Sequence, residues 1–321
     1  MDRQTNIREK VRQTEVKYTT IGGQALLEGI LMKGPFETAI ATRSADGTIC
    51  LKTEPVSGLA KTYPVFRKPF FRGIAALVDS MTRGMKAIEY SAEQAGELGE
   101  DEKPGLLEKL LGKRRAEKVE STVMTVVLAA AVIGLFFFLP TWVTSWMKPV
   151  LPNVVLLNLF EGVLRVLFFL GYVWAISRIP ELKRVFMYHG AEHKSIACYE
   201  HGEELTVENV RKYPRLHPRC GTSFLANLVL LSAILLSFFG WPNPLLRLLI
   251  RLLILPVLIG LTYELNLWMG RNSNAFSRLM QKPGLFVQRV ATVREPSDDM
   301  IEVAIEALKA VIPEDAEADR W

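Results

Sequence analysis

Apolar and polar residues are segregated along this chain into blocks rather than mixed. Four stretches, about Thr122 to Trp142, Leu151 to Ile176, Thr222 to Trp241 and Leu245 to Trp268, meet or approach the length of a membrane-crossing helix, which needs roughly 20 mostly apolar residues for a hydrocarbon core of about 30 Å. Val123 to Leu139 carries no charge and includes Leu135-Phe-Phe-Phe-Leu139, a composition that suits lipid better than the core of a soluble protein. Trp142, Trp146, Trp241 and Trp268 stand at the edges of these stretches, where an apolar ring with a polar N–H is favoured. Pro256 removes a backbone donor inside the fourth stretch and predicts a kink there.

The polar blocks have patterns of their own. Strand-like alternation runs from Gln24 to Glu54, and Ala45-Asp46-Gly47-Thr48 between two such runs predicts a hairpin turn, because glycine accepts positive φ. Glycines 22, 23, 29 and 34 match neither phosphate-binding nor dinucleotide-binding spacing; they suit a tight turn or a close approach of backbone to ligand. Phe70 to Ala92 has apolar residues at helical spacing after Arg67-Lys68-Pro69, which predicts an amphipathic helix suited to the bilayer surface or to packing on an inner domain. Gly96 to Lys118 reads as a charged linker with one short helix, Leu106 to Leu111. In the tail, Phe286 to Val293 reads as a strand, and Pro296-Ser-Asp-Asp299 starts a helix carrying Ile301, Ala304, Ile305, Leu308 and Ile312.

Charge gives the chain a direction. Lys and Arg number 20 in residues 1 to 121, one in 140 to 150, eight in 177 to 221, none around Pro242-Asn243-Pro244 and seven from residue 270 onward. The positive-inside rule then places both termini and the middle connection in the cytoplasm. The net charge of +5 is explained by these flanking cations and anionic lipid, and no nucleic-acid motif is present. The opening residues have no apolar core, so no cleaved secretory signal is expected, and three cysteines on the cytoplasmic side are expected to be thiols. The expected fold class is an α-helical multi-pass membrane protein of about four transmembrane helices. A small α+β cytoplasmic domain would be assembled from residues 1–95, 177–221 and 270–321. The linker would occupy 96–121, and the spans 122–176 and 222–269. The expected location is the cytoplasmic (inner) membrane, with a homo-oligomer as a candidate state.

Charges inside the spans require a reason. Glu161 and Arg165 are four apart on one helix face and are expected to pair, while Arg247 and Arg251 lie near the start of the fourth span. Structural pairing with snorkelling, a lipid-headgroup site and a small-molecule transport pathway are the available readings.

All four histidines, His189, His193, His201 and His217, fall within 29 residues. His189 and His193 share a helix face and flank Glu192, giving His-x-x-Glu-His, the spacing of inverted zinc-hydrolase motifs in which the glutamate is a general base. A divalent metal, zinc by donor type, is therefore the expected cofactor, with Glu192 as catalytic candidate. Glu200 lies about 10 Å too far along a continuous helix to join the pair. Candidate further ligands are His217, Cys220 and Glu264, while Arg219 and Arg271 could hold an anionic substrate or a neighbouring carboxylate. Cys220 as a nucleophile served by His217, and a non-catalytic adaptor with a structural His/Cys site, are alternatives. The substrate, peptide or lipid, is not specified.

Several separated motifs occur in order: Gly22-Gly-Gln-Ala25, Arg72-Gly73, Tyr188-His-Gly-Ala-Glu-His-Lys194, His217-Pro-Arg-Cys-Gly-Thr-Ser223 and Glu295-Pro296. On these the chain resembles, over nearly its whole length, the bacterial YqhQ-like family of integral membrane proteins, which carry domain of unknown function 1385. The resemblance implies a membrane protein and a predicted metal-dependent enzyme. The chain departs from the pattern at Ala291-Thr292-Val293, where two successive threonines are expected; no candidate ligand is affected.

Overall fold

A computed structural model describes residues 16–94, 119, 123, 126–127, 130–240, 243–272, 274–315 and 317–320. The expected linker, apart from residue 119, its short helix, the opening of the first apolar stretch and Trp241 lie largely outside the described residues. The chain divides into two compact units. One comprises Met1–Glu97, Val173–Asn227 and Ile259–Trp321, the other Leu98–Tyr172 and Leu228–Leu258.

The first unit contains an antiparallel meander of four strands in the order β1 (Gly22–Leu26), β2 (Gly29–Lys33), β3 (Glu37–Arg43) and β4 (Ile49–Pro55). The expected turn joins β3 to β4: Gly47 has φ +88, and Asp46 Oδ1 accepts from the Thr48 N–H at 3.0 Å. Alternation places Ile30 and Met32 of β2 and Ala39 and Ala41 of β3 in the main apolar core. Its other walls are two helices, α5 (Pro180–Glu200), through Tyr188, Ala191 and Ile196, and α10 (Asp298–Lys309), through Ile301, Ala304, Ile305 and Leu308. The predicted tail helix is thus present, with its apolar stripe inward. The chain ends are knotted together: the buried Asp319 carboxylate accepts from Lys17 Nζ at 2.7 Å, Thr19 Oγ1 at 2.6 Å and the Tyr199 hydroxyl at 2.9 Å.

Along the chain, β4 is followed by α1 (Leu59–Thr62), α2 (Phe71–Gln94), α3 (Leu139–Ser145, preceded by a π-helical turn at Gly134–Phe138) and α4 (Val154–Ile176), which precede α5. After α5 come α6 (Val207–Arg211), α7 (Gly221–Ser237), α8 (Pro244–Arg271) and α9 (Ala275–Val287). α4 and α8, of 23 and 28 residues, are long and apolar enough to cross a bilayer, while α7 has 17 residues. α8 continues through Pro256.

One local expectation needs correction. Phe286 to Val293 is not a strand: α9 runs to Val287 and a π-helical turn covers Gln288–Thr292. Its buried positions, Val287, Gln288 and Ala291, follow helical spacing, so the segment buries one face while its backbone stays hydrogen-bonded within itself. The amphipathic helix forms as α2, but its buried positions are the small residues Gly73, Ala75, Gly84, Ala87 and Ser91. Val78, Met81, Met85 and Ile88 are exposed, leaving an apolar stripe outside the core.

Because Leu308 is fully buried between α5 and the sheet, Leu308→Ala should cost about 2–5 kcal/mol in a denaturant or thermal unfolding measurement on the purified protein. Lys309→Ala, which removes only an exposed ion pair, should stay within about 0.5 kcal/mol of wild type.

Candidate metal centre

α5 begins with Pro180 at its first turn, where the missing N–H costs nothing, and then enters the core. From Ala191 to Cys198 every residue is buried, including Glu192, His193, Lys194 and Ser195. Buried polar groups at such positions need partners. Lys194 Nζ reaches the Arg211 carbonyl at 3.0 Å and Glu295 at 2.6 Å.

The two histidines of the motif are fixed from behind. His189 Nδ1 faces the Thr292 carbonyl oxygen at 2.9 Å, and His193 Nδ1 faces the Arg215 carbonyl oxygen at 2.7 Å. A carbonyl only accepts, so each Nδ1 donates a hydrogen and leaves Nε2 for the opposite side. Gly190 makes the first of these bonds reachable. A Cβ there would lie 2.0 Å from the Arg294 carbonyl oxygen, and only a glycine lets the 292–294 segment lie so close to α5.

Cys220 arrives from the loop before α7. Gln288 clamps this loop, accepting from the His217 N–H at 3.0 Å and donating to the His217 carbonyl at 2.9 Å and Ser223 Oγ at 3.2 Å. The thiol stands at the head of α7, where it accepts from the Thr222 N–H at 3.3 Å and the partial positive charge of the helix terminus favours a thiolate. His189 Nε2 lies 3.1 Å from Cys220 Sγ, and the candidate ligand atoms of His189, His193 and Cys220 all lie within 4.8 Å of one another.

Glu192 completes the arrangement. One carboxylate oxygen accepts from the Gly23 N–H at 2.9 Å; Oε2 is buried with no hydrogen-bond partner among the described residues. Gly23, His189, Glu192, His193, His217 and Cys220 line one cavity of about 440 Å³.

Charge is strongly coupled here. Burial favours a neutral Cys220 thiol, but the charges of His189 and His193 and their hydrogen bonds outweigh it and hold the thiol well below its ordinary value. Burial likewise opposes a charged His189, yet Cys220 and Glu192 carry it up to about 9. Burial pushes Glu192 above the usual carboxylate range, against the pull of both histidines.

Of the residues singled out from the sequence, the structure brings together His189, Glu192, His193 and Cys220. His217 stands beside them, its ring 5.5 Å from that of His193, but its Nε2 faces Glu200 at 3.6 Å and Arg219 at 3.3 Å. Glu200 is held by Arg219 and by the Thr19 N–H, so this arginine serves a neighbouring carboxylate. Glu264 does not join the group: its carboxylate takes the Arg72 guanidinium fork, with Nε at 2.7 Å, and the Phe70 N–H at 2.9 Å. The imidazole nearest the Cys220 thiol is that of His189, rather than the His217 suggested by proximity in sequence. Cys198 is a buried packed thiol, and the cysteines are unpaired with one another.

The residues missed by sequence reasoning are those acting through the backbone, Gly23, Arg215 and Thr292, and the clamp Gln288. A carbonyl leaves no side-chain signature. Gln288 left one, a polar residue between Val287 and Val290, and Gly190 left another between the motif histidines.

A curated relative, the uncharacterized protein YqhQ of Bacillus subtilis (strain 168), is 33% identical over 302 residues, covering 91% of this chain and 92% of its own. No solved structure matches. Residues 68–314, which include the histidine motif, Cys220 and Gln288, match the model described as a protein of unknown function (DUF1385). The chain therefore belongs to the DUF1385 family.

Proposed function

We propose that this is a multi-pass protein of the bacterial cytoplasmic membrane that binds one zinc ion through His189, His193 and Cys220 and hydrolyses an amide or ester close to the membrane surface. The observation that carries the reading is a three-ligand group on an open cavity beside a carboxylate with an unpartnered oxygen. Three protein ligands with an open position are the pattern of catalytic zinc sites, whereas structural sites are closed by a fourth. The donor set of two imidazoles and a thiolate suits zinc.

A bound zinc ion would supply Lewis acidity, polarising a carbonyl or phosphoryl oxygen and bringing the pKa of water to about 7. The protein supplies the rest. The Thr292 and Arg215 carbonyls hold both imidazoles in the ligand tautomer, and Gly23 anchors one oxygen of Glu192. The other oxygen is available to take a proton from water and return it to a leaving group, and burial raises the carboxylate toward the working pH of a general base.

Membrane residence rests on α4 and α8, on the apolar stretches at α3 and α7, and on the exposed stripe of α2, which suits the headgroup boundary. The cation distribution favours cytoplasmic termini and a cytoplasmic metal site, within reach of a lipid or a peptide at that surface. A second reading is favoured by the 3.1 Å approach of His189 to Cys220: a cysteine nucleophile paired with an imidazole.

Elemental analysis should find about one zinc per chain in wild type. The His189→Ala/His193→Ala and Cys220→Ala variants should fall to background while Glu264→Gln stays loaded; equal metal in all of them would remove the metal site. Zinc should also shield Cys220 from iodoacetamide, whereas a metal-independent nucleophile would label equally with and without it.

Glu192→Gln should retain zinc and lose about 10²–10⁴-fold in turnover on a substrate found by screening ester and amide libraries. An adaptor would keep its function through that change. Gly190→Ala should displace the Thr292 carbonyl and weaken zinc about 10–100-fold in a competitive chelator titration; unchanged affinity would show that the carbonyl contact does not orient His189.

A further inference from the structure

A second cavity adjoins the candidate metal centre and has a different character. It encloses about 410 Å³ within the first unit, and it shares Ser80, Arg219, Cys220 and Gly221 with the cavity that holds Glu192 and the motif histidines. Cys220 therefore stands on the border, with the other candidate ligands on one side and the second cavity on the other.

The walls of this second cavity are largely apolar. Leu77 comes from α2, Phe224 and Leu225 from the opening turns of α7, and Tyr263, Leu267 and Met269 from the last turns of α8. The Arg72–Glu264 pair fastens α2 to α8 and so fixes two of these walls. No carboxylate lines the cavity among the described residues, and two of its polar side chains are committed elsewhere. Asn266 Nδ2 donates to the Thr262 carbonyl at 2.8 Å while its Oδ1 accepts from Asn227 at 3.0 Å, and the Arg219 guanidinium holds Glu200.

Position and lining together favour one kind of occupant. These walls belong to the ends of α7 and α8 that the cation distribution assigns to the cytoplasmic leaflet, and Leu225 is 45% exposed, so the cavity reaches the outer face of α7. A peptide would bring N–H and C=O groups against walls that offer few partners, at a cost for each group left unpaired. Nor is the free edge of β1 ready to receive one, since its Gly23 N–H is spent on Glu192. An acyl chain has no such groups to lose and gains from every methylene it takes out of water.

We propose that this cavity receives the acyl chain of a lipid-type ligand whose carbonyl end lies at Cys220, so that the amide or ester hydrolysed at the candidate zinc site is an acyl one. The chemistry rests on the hydrolase reading above, whereas chain binding rests on the cavity. Water would add to the acyl carbon with loss of a proton to Glu192. The C–N or C–O bond would then break, the leaving amine or alcohol would take that proton, and the fatty acid would remain in the cavity.

The test uses that product. Purified full-length protein in detergent, its zinc content read by elemental analysis, would be irradiated with dodecanoic acid carrying a diazirine at its far end, and the label mapped by peptide mass spectrometry. The label should fall on peptides containing Leu77, Leu225 or Leu267. Unlabelled dodecanoic acid should displace it at a concentration about 100-fold or more below that of butanoic acid, because each buried methylene is worth about fourfold in affinity. Ala76→Trp, which fills the cavity, should cut the labelling about tenfold or more and supplies the baseline for partition into detergent. If that protein fails to fold, Leu225→Gln, at an exposed position, should cut it about fourfold or more.

Labelling confined to the outward faces of the apolar helices and unchanged by the substitutions overturns the proposal. So does displacement by an apolar peptide at lower concentration than dodecanoic acid. Zinc-loaded protein without cavity labelling would leave the hydrolase reading standing and remove the acyl assignment. Zinc-free protein with cavity labelling would support the acyl-chain site and remove the hydrolase reading.

Discussion

The candidate metal centre depends on one constraint, the burial of a polar stretch of helix. α5 carries Glu192, His193, Lys194 and Ser195 through the interior of its unit, and a helix satisfies only its own backbone. Its histidines, Lys194 and one oxygen of Glu192 are met by groups brought from elsewhere in the chain, while Ser195 Oγ has no hydrogen-bond partner among the described residues. Thr292 meets His189, Arg215 meets His193, Arg211 meets Lys194, and Gly23 meets Glu192. Three distant segments, at Gly23, 211–215 and Thr292, converge because α5 leaves them polar groups to satisfy, and the segments at Gly23 and His217 help line the cavity.

The same constraint explains why the supporting residues are small or act through the main chain. A carbonyl can approach an imidazole closely only where the intervening side chain is absent, as at Gly190. The π-helical turn at Gln288–Thr292 belongs to this arrangement. Such turns redirect a carbonyl from its usual place in the ladder, and this one delivers both the Gln288 clamp and the Thr292 acceptor. Cys220 gains from a different part of the backbone, the head of α7, and from the histidines, which pull its thiol well below the ordinary value.

The buried ion-pair cluster of the other unit obeys the same electrostatics. Glu161 is shared by the guanidiniums of Arg165, Arg247 and Arg251, and a carboxylate buried among apolar helices is held there by that pairing. In the candidate metal centre the coupling runs within one cavity: Cys220 and Glu192 raise His189, and His189 in turn lowers Cys220.

Much of this was legible without coordinates because it depends on local spacing. Two of the four apolar stretches became the long helices α4 and α8, the Asp46-Gly47 turn joined its two strands, and His-x-x-Glu-His placed three side chains on one helical face. The pairing of Glu161 with Arg165 followed from a four-residue interval. Tertiary structure decided what spacing cannot encode. Whether Phe286 to Val293 became strand or helix turned on which face could be buried, since its apolar residues fit both periods. Which of Cys220, His217 and Glu264 joined the histidines turned on competition: Arg72 took Glu264, Glu200 and Arg219 took His217, and the thiol was left facing His189. Donor types and their local order are written in the sequence. The choice among distant donors is made by the packing that brings some within hydrogen-bond reach and commits the others elsewhere.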